Sequence, residues 1–80
     1  MWDNIQDSLH QKFTFKDFKE AFAFMTKVAE EAEKLNHHPK WTNIYNTVEF
    51  WLSTHDAHDT VTQKDKELSE KIDEVYKNFK

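Results

Sequence analysis

The sequence contains no glycine. Its tight turns are therefore expected to use Asn, Asp or another polar residue. Cysteine is also absent, which excludes disulfides, cysteine zinc sites and thiol catalysis. Proline occurs once, as Pro39, and divides the chain near its middle. No apolar run approaches the roughly 20 residues that span a bilayer. No charged n-region precedes an apolar h-region, so no secretory signal is expected. The cytoplasm is the expected compartment, with no membrane partner. Basic excess is missing too: 11 Lys and Arg stand against 15 Asp and Glu, a net charge of −4. Such a surface does not attract phosphate backbones, so direct nucleic-acid binding is not expected.

What is present points to a compact fold. The 80 residues include three Trp, two Tyr and seven Phe, more than a disordered polar chain carries. That length allows one domain, residues 1–80. Its core leaves little stability margin, so self-association is expected.

The pattern predicts two helices and four strands. Phe18, Phe22, Met25, Ala29, Ala32 and Leu35 recur at helical steps, with Lys19, Glu20, Lys27, Glu30, Glu31 and Lys34 opposite. A helix is expected from about Lys16 to Leu35, stopped by Asn36 and Pro39. Before it, Leu9, Gln11, Phe13 and Phe15 alternate with polar residues as a strand does, and Trp2 to Ile5 can pair with it across a turn at Gln6–Asp7. After Pro39, Ile44, Val48, Phe50 and Leu52 fall on even positions. Strands are expected at about 42–45 and 48–54, around a turn at Asn46–Thr47. Leu68, Ile72, Val75 and Phe79 mark a second helix, and Thr62 with Asp65 has capping-box spacing. The expected class is α+β: a four-stranded antiparallel sheet with two helices on one face, in the order ββαββα.

Four of the five histidines lie between positions 37 and 58: His37, His38, His55 and His58. They fall in connections, where sites usually sit. Imidazole titrates near neutral pH, and neighbouring Asp56, Asp59 or Asp65 can fix its tautomer. Such a cluster can move protons without a cofactor. A plainer reading makes His37 and His38 a polar helix terminus. A metal reading rests on His55-x-x-His58 with Asp56 and Asp59, a spacing that matches no zinc signature. Trp51 falls on the face opposite the helices and suits either a subunit contact or stacking on a flat ligand; Trp41 carries the same alternatives. The run from Lys64 to Glu67 reads as a solvated helix face, with Asp65 the exception.

These residues resemble a known family. Glu33-Lys-Leu-Asn-His-His-Pro-Lys-Trp41, then Asn43-Ile-Tyr-Asn46, Val48 and Ser53-Thr-His-Asp56, are similar to the signature of pterin-4a-carbinolamine dehydratases. Phe15 to Phe18, Ala21-Phe22 and Phe24 to Ala29 also match, so the resemblance covers about residues 13–75. It implies dimers or tetramers and a metal-free, cofactor-free dehydration of 4a-hydroxytetrahydropterin to quinonoid dihydropterin. By position, it implies His37, His38 and His55 as catalytic. It places Asn36, Pro39, Trp41, Ser53, Thr54, Asp56 and Asp65 around the pterin. Loss of the 4a-hydroxyl needs one proton delivered to oxygen and one removed from a ring nitrogen, which imidazoles can do. An animal member also serves as a dimerisation cofactor for a transcription factor, so a non-catalytic interaction module is the alternative. The chain departs from the family in three ways, one of them the bulky Trp51 on a face often used for association. Its loop Asp56-Ala-His-Asp-Thr60 lacks the usual glycine, and many relatives carry a further N-terminal segment.

Overall fold

Turns in this chain are made by residues with side chains. Gln6, Asp7, Asn36, Tyr45, His58 and Asp59 all adopt φ between 50° and 63°. That left-handed region costs an L-residue roughly 1–2 kcal/mol. Five of the six are polar, as expected; Tyr45 is not, and so corrects the rule drawn from composition. The computed structural model describes residues 2–79.

Strand β1 (Asp3–Ile5) and strand β2 (Ser8–Thr14) form a hairpin whose loop is Gln6–Asp7, with Ile5 opposite Ser8. Helix α1 (Phe18–Leu35) follows, then β3 (Lys40–Ile44), β4 (Thr47–Leu52), a short 3₁₀ turn (His55–Ala57) and helix α2 (Gln63–Lys77). The sheet order is β1-β2-β4-β3, antiparallel throughout. This is the expected α+β order, and α1 packs on both α2 and β4.

Local chemistry sets the ends of α1. The Asp17 carboxylate accepts from the Glu20 amide at 2.9 Å, so the helix begins at Phe18, two residues later than expected. At the other end Asn36 turns left-handed and its amide donates to the Ala32 and Glu33 carbonyls. Helix α2 opens with the expected capping box: the Thr62 side chain accepts from the Asp65 amide, and the Asp65 carboxylate accepts from the Thr62 amide.

The buried face of α1 differs from expectation. Ala21, Phe24, Val28 and Ala32 are buried, whereas Phe18 and Phe22 are 49% and 55% exposed and Ala29 is exposed. The reason is aromatic packing. Phe24 meets Phe15 at 4.8 Å, Phe13 at 5.3 Å and Phe50 at 6.0 Å between ring centroids. Truncating such a ring to alanine typically costs about 3–5 kcal/mol. Phe18 and Phe22 instead pair with each other on the outside, 5.7 Å apart.

The second hairpin turns one residue earlier than expected. Its loop is Tyr45–Asn46, with Ile44 opposite Thr47 and Asn43 opposite Val48. Odd residues of β3 therefore share a face with even residues of β4. Val48, Phe50 and Leu52 are buried beneath the helices, and Ile44 points away, 77% exposed. A shift of one residue inverts a strand's faces. On the outer face, Trp51 is half-buried beside His10, with the Lys40 ammonium 5.6 Å from its ring. His10 Nε2 in turn lies 2.6 Å from Glu49 Oε2. On the inner face the Trp2 indole packs on Phe13 and Phe50 and donates to Asp73 of α2 at 3.0 Å.

Candidate active site

The left-handed end of α1 and the far end of β4 meet at one corner of the sheet. Asn36, His37, His38, Ser53, Thr54, His55, Asp56 and Lys64 line a hollow of about 230 Å³ there. Three sequence-distant segments therefore converge: the exit of α1, the exit of β4 and the first turn of α2. The hollow is smaller than the roughly 300 Å³ at which sites for drug-sized ligands begin.

His37 is the most constrained of the imidazoles. Its side chain is 11% exposed, and Nε2 lies 2.6 Å from Oδ1 of Asp65, which is fully buried. A carboxylate oxygen only accepts, so Nε2 carries a proton, and in the neutral ring Nδ1 keeps the lone pair. The other oxygen, Oδ2, accepts from the Thr54 hydroxyl at 2.8 Å and the Thr62 amide at 2.9 Å. Three donors thus converge on Asp65. Among the described residues no buried side-chain polar atom lacks a partner.

His38 and His55 are freer. The His38 side chain is 60% exposed, with Nε2 2.9 Å from Glu33 Oε1. The His55 side chain is 91% exposed, with Nδ1 3.1 Å from Asp59 Oδ1. The adjacent rings of His37 and His38 take different carboxylate partners, yet both border the hollow.

Not every expected site residue lines it. Asp65 lies buried beneath the hollow and reaches it through His37. Pro39 and Trp41 line a neighbouring, mostly apolar hollow with Ala29, Ala32 and Glu33, and His38 borders both. His58 turns left-handed after the 3₁₀ segment, and His58 and Asp59 supply the positive φ in this glycine-free loop. Their geometry closes the loop by a bridge between Thr54 and Thr60. Among the described residues no group of three His, Cys, Asp or Glu is arranged to hold a metal ion. Lys64 lines the hollow although its sequence context reads as a solvated run. The signal was its place just before Asp65, in the first turn of α2.

Comparison with known proteins follows the same outline. The family described as pterin 4 alpha carbinolamine dehydratase matches residues 1–75. A protein of Burkholderia vietnamiensis is 51% identical over 70 residues, 88% of this chain and 68% of its own. One from a Bradyrhizobium species is 54% identical over 76 residues, 92% of this chain and 76% of its own. Both carry the provisional name pterin-4-alpha-carbinolamine dehydratase. A crystal structure of a transcriptional coactivator/pterin dehydratase from Brucella melitensis superposes with a TM-score of 0.87 at 39% identity, covering 92% of this chain and 80% of that one. A pterin dehydratase-like RuBisCO assembly factor of the alpha-carboxysome shares the fold, with a TM-score of 0.75 at 16% identity over 94% of this chain and 86% of that one. Among the described residues no helix is long and apolar enough to cross a membrane.

Proposed function

We propose a catalytic role from one premise: this chain belongs to the pterin 4 alpha carbinolamine dehydratase family. On that reading it is a lyase, a single 80-residue domain acting in the cytoplasm. It removes water from 4a-hydroxytetrahydropterin to give quinonoid dihydropterin. The observation that carries the reading is the contact of 2.6 Å between His37 and buried Asp65, on the wall of a hollow that His38 and His55 also line.

The chemistry divides between two imidazoles. His37 Nδ1, freed as the acceptor by the Asp65 contact, takes the proton from N5 of the substrate. The N5–H electron pair becomes the new bond between N5 and C4a. The bond from C4a to the hydroxyl breaks, and a proton from the second imidazole, His55, goes to the departing oxygen to form water. Both protons are balanced, since one is taken up and one is given. His38, held by Glu33, lies beside both and shares the load.

The polar groups of the hollow match the heterocycle. A pterin presents its 2-amino group and N3–H as donors and its 4-oxo group as an acceptor. Asp56 accepts from the donor edge, and Lys64 and Asn36 donate to the acceptor. Pro39 and Trp41 support this wall from the adjoining side.

The test is the rate of dehydration of 4a-hydroxytetrahydropterin by purified protein. Replacing His37 or His55 by alanine is expected to lower kcat about 100-fold or more. No acceleration by the native protein, or full activity in both variants, removes the catalytic reading.

A second reading, a protein-interaction module, draws support from the exposed Phe18–Phe22 pair on α1. Self-association into dimers or tetramers through that pair serves either reading, because exposed aromatic clusters commonly mark contacts.

A further inference from the structure

We infer that Thr54 is a positioning residue that holds His37 and His55 in one arrangement, its hydroxyl acting towards the first and its backbone towards the second. The inference rests on the dehydratase reading for its consequence in rate, but its geometry is independent of substrate.

Thr54 follows β4 and is 6% exposed, one of three buried polar residues among those described. Its hydroxyl donates to Asp65 Oδ2 at 2.8 Å and lies 2.6 Å from the Thr62 hydroxyl. With its own proton given to Asp65, Thr54 accepts from Thr62. Thr62 keeps a lone pair for the Asp65 amide in the capping box. The donors therefore run in one direction, from Thr62 to Thr54 to Asp65, and Asp65 accepts from His37 at its other oxygen. Removing the middle hydroxyl leaves Oδ2 with the Thr62 amide alone. The carboxylate can then rotate, and the Nε2–H form of His37 is no longer imposed.

The backbone of the same residue closes the loop that bears His55. The Thr54 amide donates to the Thr60 carbonyl at 2.8 Å, and the Thr54 carbonyl accepts from Ala57 at 3.1 Å and Asp59 at 3.0 Å. The 3₁₀ turn starting at His55 therefore springs directly from Thr54. A β-branched side chain has few χ1 options, so a threonine fixes its hydroxyl direction relative to that backbone more firmly than a serine does. One residue thereby sets where both imidazoles stand.

Thr54→Val removes the hydroxyl and keeps shape and backbone. It is expected to lower kcat roughly 10- to 100-fold, the usual loss for groups that orient a functional imidazole, with KM changed less than about twofold. Thr54→Ser is expected to recover most of the rate. Nitrogen-15 NMR of the ring nitrogens, without substrate, provides the readout that a merely structural role does not move. Native His37 is expected in the Nε2–H form, and Thr54→Val is expected to show a mixture of forms. If Thr54→Val does not fold, Thr54→Cys, whose thiol is a weak donor, is expected to show the same mixture. An unchanged His37 tautomer in the folded variant overturns the inference. An inactive native protein refutes the dehydratase reading instead, and the nitrogen signals still decide the role of Thr54.

Discussion

His37 and Asp65, 28 positions apart in the chain, meet at 2.6 Å, and the carboxylate of the pair is fully buried. This contact joins the end of α1 to the beginning of α2. Asp65 serves three donors there: a ring, a hydroxyl and the amide of its own helix cap.

Asp65→Asn is expected to damage both activity and stability. An amide presents a donor where either His37 or Thr54 needs an acceptor, which favours the wrong imidazole tautomer. Comparable changes in histidine–aspartate pairs lower kcat by as much as about 10⁴. The unmet buried group costs about 1–3 kcal/mol. Steady-state kinetics and urea unfolding check the two effects separately. Native kcat would remove the orienting role.

Lys64→Ala is expected to act mainly on binding. Lys64 lines the hollow but belongs to none of the three imidazole–carboxylate pairs there. KM is expected to rise about tenfold or more, the loss of one charge-assisted hydrogen bond, while kcat holds. A fall in kcat with constant KM would contradict the assignment.

Phe18→Ser with Phe22→Ser is expected to shift the protein towards smaller species. Both rings are about half exposed and touch each other. Analytical ultracentrifugation over a concentration series reads the change, and circular dichroism confirms an intact fold. An unaltered mass would place self-association on another face.

Tyr45→Gly is expected to stabilise the protein. Tyr45 holds φ 50° in the loop between β3 and β4 and is 61% exposed, so little packing is lost. Relief of left-handed strain is worth up to about 1 kcal/mol after the entropy cost of glycine. For a domain this small, that raises Tm by a few degrees. A lower Tm would mean that the tyrosine ring itself steadies the turn.

Features decided by neighbouring residues were readable in the sequence. The stop at Asn36, the Gln6–Asp7 turn and the Thr62–Asp65 cap each depend on a few adjacent groups. The buried face of α1 was not. Phe18-Phe22-Met25 and Ala21-Phe24-Val28 both satisfy helical spacing, and only contacts with Phe13, Phe15 and Phe50 choose between them. Ile44 was misplaced because a loop one residue earlier inverts the strand. At the site, the His37–Asp65 contact and the Thr54 hydroxyl chain join three separate segments. No local spacing encodes that closure. Lys64 reads as part of a solvated helix face for the same cause, since only the packing of α2 against the ends of α1 and β4 brings it to the hollow.

The placement of the three indoles has an optical consequence. Trp2 is clamped between the sheet and Asp73, Trp41 packs on Phe50 near the apolar hollow, and Trp51 lies under Lys40 on the opposite face. Each chromophore therefore samples a different territory. Single-tryptophan versions of the protein would let emission report separately on docking of the first strand, occupancy beside Pro39, and coverage of the outer sheet.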